Sequence, residues 1–244
     1  MMDSILLLLF IGFIATFIGT LGGGGGLISL PAMLSLGVPI HAAIAANKFS
    51  NTFSSLGSFY TLWKKKEVKF LLACSLLPFT VAGGITGAYL ASQLQEDTLL
   101  TIALVLLIFS TFLNLWKEYI KKWRNRRKQK SLFRPYYFFI GAFDGFFGPG
   151  QAILLMHSFL TAGYSYVTSI GLARLQTFAS CIVSFSVYAY LGFFQPVVGI
   201  LLAIGSFCGA QLAVKLAPTL SHLPWKSILT FVSLLLIIYI SVQI

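Results

Sequence analysis

The sequence predicts an all-α integral membrane protein of about eight transmembrane helices, in two four-helix repeats whose first helices are each broken by glycine. Three observations carry this. Hydrophobic residues make up 57% of the 244 and charged residues only 9%, against roughly 25% charged in a soluble domain. The charged residues fall at segment ends or in loops, save Lys48, Asp144 and Arg174. Two glycine-rich breaks, at 22–26 and 148–150, lie 126 residues apart, and each is followed at the same distance by one of the two isolated cations.

Crossing about 30 Å of hydrocarbon takes around 20 apolar residues. Such stretches fall near 4–36, 41–63, 69–92, 97–116, 135–162, 166–191, 196–216 and 224–243. The first has no basic n-region, carries Asp3, and runs on without a small-residue cleavage site, so it is expected to be a helix rather than a removable signal. Stretches 4–36 and 135–162 are too long for one straight span. Each is expected either to unwind mid-membrane or to continue as a re-entrant half-helix. Five consecutive glycines cost a helix about 1 kcal/mol each relative to alanine. Non-helical backbone at membrane depth survives only where it is buried in protein or lines a water-filled cavity. Small residues also allow close helix packing, but a run of five fits a site-lining role better.

A shift of 126 residues superposes Phe13 on Phe139, Gly19 on Gly145, Gly22 on Gly148, Gly24 on Gly150, Gly37 on Gly163, and Lys48 on Arg174. The register then slips by four, and Gly83 and Gly87 align with Gly205 and Gly209. The chain therefore reads as one membrane transport domain, 1–244, with repeat one at 1–116, a basic cytoplasmic linker at 117–134 and repeat two at 135–244. That linker holds nine of the 17 basic residues, and Lys64, Lys65, Lys66 and Lys69 form the next group. Basic loops favour the cytoplasm, which leaves Glu96 and Asp97 outside. Simple alternation makes the halves parallel and puts Lys215 and Lys226 outside; an odd number of crossings per half inverts repeat two and brings them inside. Both occur in transporters. The linker's charge serves topology, and nucleic acid is not an expected partner. Cys74, Cys181 and Cys208 share no close spacing, so neither metal nor disulfide chemistry is expected, and no cofactor is implied.

Basic residues inside lipid-spanning helices are costly and usually face a cavity or a partner. Lys48, Asn51 and Thr52 share one helix face, since residues three and four apart are neighbours; Arg174 and Thr177 do likewise. The alternative is interhelical glue, with the cations snorkelling to an interface. Helices restarting after Gly24, Gly25 and Gly26, and after Gly148 and Gly150 at Gln151, offer free N–H groups and a positive dipole end, which favour an anion. Arg174 supplies a bidentate fork where Lys48 supplies a point charge. Asp144 stands where the first repeat has Ile18. It either couples protons to transport or pairs with Arg174 or another donor to hold the break. His157 is a further lining candidate, whereas His41 and His222 look like loop or interface residues. An enzyme built on Asp144, His157 or Cys181 lacks any visible nucleophile–base–acid set, so none is expected.

The stretches GTLGGGGGLISLPAMLSLGVPIHAAIAANKFSN (19–51) and GAFDGFFGPGQAILLMHSFLTAGYSYVTSIGLARLQTFAS (141–180) resemble the two repeat signatures of the sulfite exporter TauE/SafE family. The likeness extends over essentially the whole chain. It implies a multi-pass permease of the inner (plasma) membrane that exports small sulfur-containing anions such as sulfite, sulfoacetate or related organosulfonates. Its partners are then the anionic substrate and membrane lipids, with a homo-oligomer left open. The competing expectation is a non-transporting membrane partner or assembly subunit that docks through the linker.

Overall fold

The computed structural model describes residues 2–68, 74–121 and 133–220, together with Phe231 and Leu234. Most of the basic linker and the stretch 224–243 lie outside the described residues. Within them the chain forms nine helices: α1 Met2–Gly22, α2 Gly26–Ser35, α3 Ile40–Lys64, α4 Leu77–Ser92, α5 Glu96–Lys121, α6 Arg134–Phe146, α7 Gln151–Thr161, α8 Tyr166–Tyr190 and α9 Pro196–Leu216. Helices α3, α5, α8 and α9 match the expected spans to within a few residues. By length and apolar composition alone, Ile5–Gly22, Tyr166–Tyr190 and Pro196–Leu216 suit a membrane crossing. Helix α3 carries a run of amides, hydroxyls and a lysine that dilutes its hydropathy.

The two over-long stretches do not continue through their breaks; they double back. A Cβ placed on Gly25, just before α2, would lie 2.7 Å from the Ala15 carbonyl of α1. In the second half, the Tyr137 hydroxyl near the start of α6 meets Ser158 near the end of α7 at 2.7 Å. Tyr137 and Phe159 also pack ring to ring at 5.7 Å. Of the two expectations, the structure has the shorter helix folded back on the first rather than an unwound helix that continues. A positive φ turns each corner, at Gly23 (91°) and at Gly148 (102°) and Gly150 (94°).

Helix directions follow from which residues meet. Along α3 and α8, His41 stacks on Phe193 just past the end of α8, Phe49 on Phe185, and Ser55 bonds Arg174. One number rises as the other falls, so α3 and α8 are antiparallel. Helix α9 runs with α3, because Ser50 meets Ser206 at 2.7 Å and Thr61 donates to Gln211 at 2.9 Å. Helix α4 runs with α8, through Thr80 to Gln176 at 2.6 Å and Ser184 to the Gly84 carbonyl at 3.1 Å. Lys215, one turn past Gln211, therefore sits at the same end of the bundle as Lys64, Lys65 and Lys66.

The closest helix pairs are α1 with α9 and α4 with α6, and glycine makes both possible. A Cβ on Gly205 or Gly209 would overlap the Leu9 or Phe13 carbonyl of α1; one on Gly83 or Gly87 would overlap the Phe138 or Ala142 carbonyl of α6. Backbones that approach so closely gain dispersion contacts, the main cohesive force where lipid is as apolar as the side chains. Successive contacts show each pair to be parallel, so α1, α3 and α9 point one way and α4, α6 and α8 the other.

Two apolar clusters bracket a polar middle. One gathers Leu27, Leu30 and Met33 of α2 with Ile40 to Ala46 of α3 and Tyr188 of α8; the other gathers Phe59 and Leu62 of α3, Phe159 of α7 and Ile170 to Leu175 of α8. Between them α3 and α8 turn their polar stripes toward each other.

Candidate functional site

The two helix breaks meet in that polar middle. A Cβ on Gly26 would lie 3.1 Å from Pro149 Cα and from Asn47 Nδ2, and one on Gly23 would lie 3.2 Å from Ala152 and Ile153 of α7. Neither α2 nor α7 has a side chain capping its N-terminus. Among the described residues, the N–H groups of Gly24, Gly25, Gly26, Gly150 and Ala152 make no hydrogen bond. Two uncapped helix starts thus point their unsatisfied donors and positive dipole ends at one place.

That place is a cavity of about 30 Å³ lined by Thr16, Gly19, Gly24, Gly25, Gly26, Asn47, Asn51, Asp144, Gly148, Gly150, Gln151, Ala152, Arg174 and Thr177. The volume holds about two waters. That is too little for a polyatomic anion in this conformation. Asn51 donates to Asn47 at 2.8 Å, and Thr177 donates to Gln151 at 3.0 Å, so the walls from α3 and from α7 and α8 are each held by their own side-chain pair.

The two cations, equivalent in the sequence, are not equivalent in the structure. Lys48, 1% exposed, reaches Asp144, 3% exposed, at 2.7 Å from Oδ1. It also donates to the Asp144 backbone carbonyl, in the last turn of α6, where a cation complements the negative dipole end. The other carboxylate oxygen accepts from Ser180 and, at 3.5 Å, from the Cys181 thiol. Lys48 is therefore neutralised. Asp144, left open between proton coupling and pairing, is held in a pair, and its partner is Lys48 rather than Arg174.

Arg174, 8% exposed, donates to Ser55 at 3.2 Å and to Thr20 near the end of α1. Those bonds take two of its five N–H donors. Among the described residues no carboxylate lies within 4.0 Å of it. Arg174 is thus a buried cation lining the cavity with no carboxylate paired to it among the described residues. Each long helix sends its cation to the broken end of the other half's first helix, Lys48 to α6 and Arg174 to α1.

Of the sequence candidates, Gly24, Gly25, Gly26, Asn51, Asp144, Gly148, Gly150, Gln151, Arg174 and Thr177 come together at the cavity wall. Thr52 does not; its hydroxyl is committed to the Lys48 carbonyl at 2.9 Å. Lys48 lies behind Gly148, bonded to Asp144. His157 is absent from the lining. His41, expected at a loop or interface, is buried against Phe193 at 4.4 Å and 3.7 Å from Glu96, too far for a hydrogen bond. The residues missed were Thr16, Thr20 and Ser55, while Asn47 was noted in the polar run around Lys48 but not placed at the site. Asn47 carried a signal, since it begins the polar run around Lys48; Thr20 and Ser55 are single hydroxyls with nothing in their spacing to mark them.

Helix hairpins thus meet at uncapped ends around a polar cavity, inside an otherwise apolar helical bundle of the kind a membrane protein has. The chain belongs to the sulfite exporter TauE/SafE family, whose model matches residues 8–240. It is 31% identical over 93% of its length to a probable membrane transporter protein, ORF9, of a Sinorhizobium species, covering 88% of that protein. A probable membrane transporter protein of Haemophilus influenzae is 27% identical over 89% of this chain and 86% of its own. The Bacillus subtilis probable membrane transporter protein YdhB is 26% identical over 91% and 93% respectively. No solved structure matches the chain. Family and relatives together support a membrane transporter.

Proposed function

We propose that this protein is a multi-pass permease of the inner membrane that moves small sulfur-containing anions, of the sulfite or organosulfonate type, outward through the cavity between the two helix breaks. One observation carries this: among the described residues Arg174 is buried at the cavity wall without a carboxylate partner, and unsatisfied N–H groups of both breaks face the same space. A buried unpaired cation is strongly unfavourable unless something else supplies the balancing charge, and a transported anion does so. The family supports the sulfur-containing class of that anion. The inside-negative potential drives export by about 2.3 kcal/mol per charge per 100 mV, so no proton partner is needed.

The proposed architecture is two inverted repeats, 1–116 and 135–244, each a re-entrant hairpin followed by three crossings. The antiparallel run of α3 against α8 supports inversion, as does Lys215 lying at the end of the bundle that carries Lys64–66. The deciding experiment loads proteoliposomes with labelled sulfite under an imposed potential and compares wild type with Arg174→Ala. Efflux is expected from wild type and is lost in the variant. Equal efflux from both removes the cavity from the transport path.

A further inference from the structure

The charges around the cavity also limit which anions it accepts, an inference that rests on the anion site proposed above. Lys48 and Asp144 cancel, both more than nine-tenths buried and 2.7 Å apart. Arg174 then remains as the net charge of the site among the described residues. We infer that the permease selects singly charged oxyanions, hydrogen sulfite or a monosulfonate, over doubly charged ones such as sulfate, the sulfite dianion or sulfoacetate. Asp144 sets that limit.

A monoanion beside Arg174 leaves the site neutral. A dianion leaves one negative charge with no second cation to pair it in a small buried cavity, where charge is costly unless paired. Besides Arg174, the cavity wall offers that second charge no further full positive charge among the described residues, only the backbone N–H groups and partial dipole charges of the two breaks, the neutral side chains of Thr16, Asn47, Asn51, Gln151 and Thr177, and the carboxylate of Asp144 itself. Lys48 could balance it, but Asp144 already holds the ammonium on the far side of Gly148. Rejection by a placed like charge is a common route to specificity.

The test uses methanesulfonate and sulfate, which keep one and two negative charges throughout the neutral range, with the full chain in proteoliposomes. Wild type is expected to move methanesulfonate at least about tenfold faster, since like-charge juxtaposition costs several times the energy of a tenfold change. Asp144→Asn leaves Lys48 unbalanced and should bring the ratio toward one. Lys48→Gln combined with Asp144→Asn returns the site to a single net charge and should restore the preference. A merely structural role for the pair predicts no such restoration. Equal rates in wild type overturn the inference, as does a folded Asp144→Asn that keeps the wild-type ratio. If that variant does not fold, the wild-type ratio and the double variant decide, and a double variant without preference overturns it. Failure of the anion site itself looks different: neither anion moves through wild type, and neither raises its unfolding temperature.

Discussion

At the residue scale, two cations that the sequence presents as equivalents have different work. Nothing in the spacing could have separated them. Asp144 stands 96 residues from Lys48 and 30 from Arg174, and only the way the hairpin turns decides which one it faces. What was legible was that both cations lie inside apolar segments and that each must have a reason to be there. Their difference yields two measurements. Lys48→Ala leaves Asp144 buried and unpaired, which costs about 3–5 kcal/mol, whereas replacing the pair together by Met and Leu is close to neutral. Chemical unfolding in detergent checks this, and a single variant as stable as wild type would show that the pair is not formed. Arg174→Ala should behave oppositely, with stability held or raised and anion efflux lost. Arg174→Lys keeps the charge without the planar fork, so its efflux falls between the two.

At the element scale, glycine has two separate roles that the sequence shows only as a shared residue type. Gly83, Gly87, Gly205 and Gly209 are helical and let backbones touch, while Gly23, Gly148 and Gly150 turn corners with positive φ. Gly83 and Gly87 align with Gly205 and Gly209 in the sequence, and the matched contacts of α4 on α6 and of α1 on α9 give both pairs the same packing role. Gly87→Ala and Gly209→Ala should each destabilise by about 1–3 kcal/mol, the usual cost of overpacking, because the obstacle in both is a backbone carbonyl that cannot rotate away. Gly57→Ala serves as the contrast, since the nearest atoms to its new methyl belong to the Gln211 and Phe207 side chains rather than to backbone. Thermal unfolding of the three variants tests the distinction; equal shifts in all three would mean that the backbone contacts do not matter. The re-entrant turn itself was legible only as one of two alternatives. A half-helix that doubles back has the same apolar composition as one that continues, and only contacts such as Tyr137 with Ser158 tell them apart.

At the scale of the whole molecule, the reversal of the two hairpins bears on a question that composition left balanced, and supports the inverted arrangement proposed above. If each over-long stretch crosses the membrane once, every half has four crossings and the halves are parallel. If each doubles back, every half has three, and repeat two is inverted. Charge already leaned toward the second, because it collects Lys215 with Lys64, Lys65 and Lys66, and the bonds of Thr61 to Gln211 and of Arg174 to Ser55 agree. The two arrangements place short loops on different sides of the membrane, so sidedness separates them. In a background with Cys74, Cys181 and Cys208 replaced, a membrane-impermeant maleimide should label Gln95→Cys and Gln195→Cys in intact spheroplasts. Lys65→Cys and Thr219→Cys should react only after permeabilisation. Parallel halves predict a different pairing, with Gln95→Cys and Thr219→Cys labelled together from outside and Gln195→Cys protected. Inversion matters for transport because it makes one hairpin enter from each side. In the proposed inverted arrangement the α1–α2 hairpin would enter from outside and the α6–α7 hairpin from inside, with Arg174 bonded to α1 and Lys48 to α6. A labelling pattern that followed the parallel scheme would leave those two bridges without a role in gating.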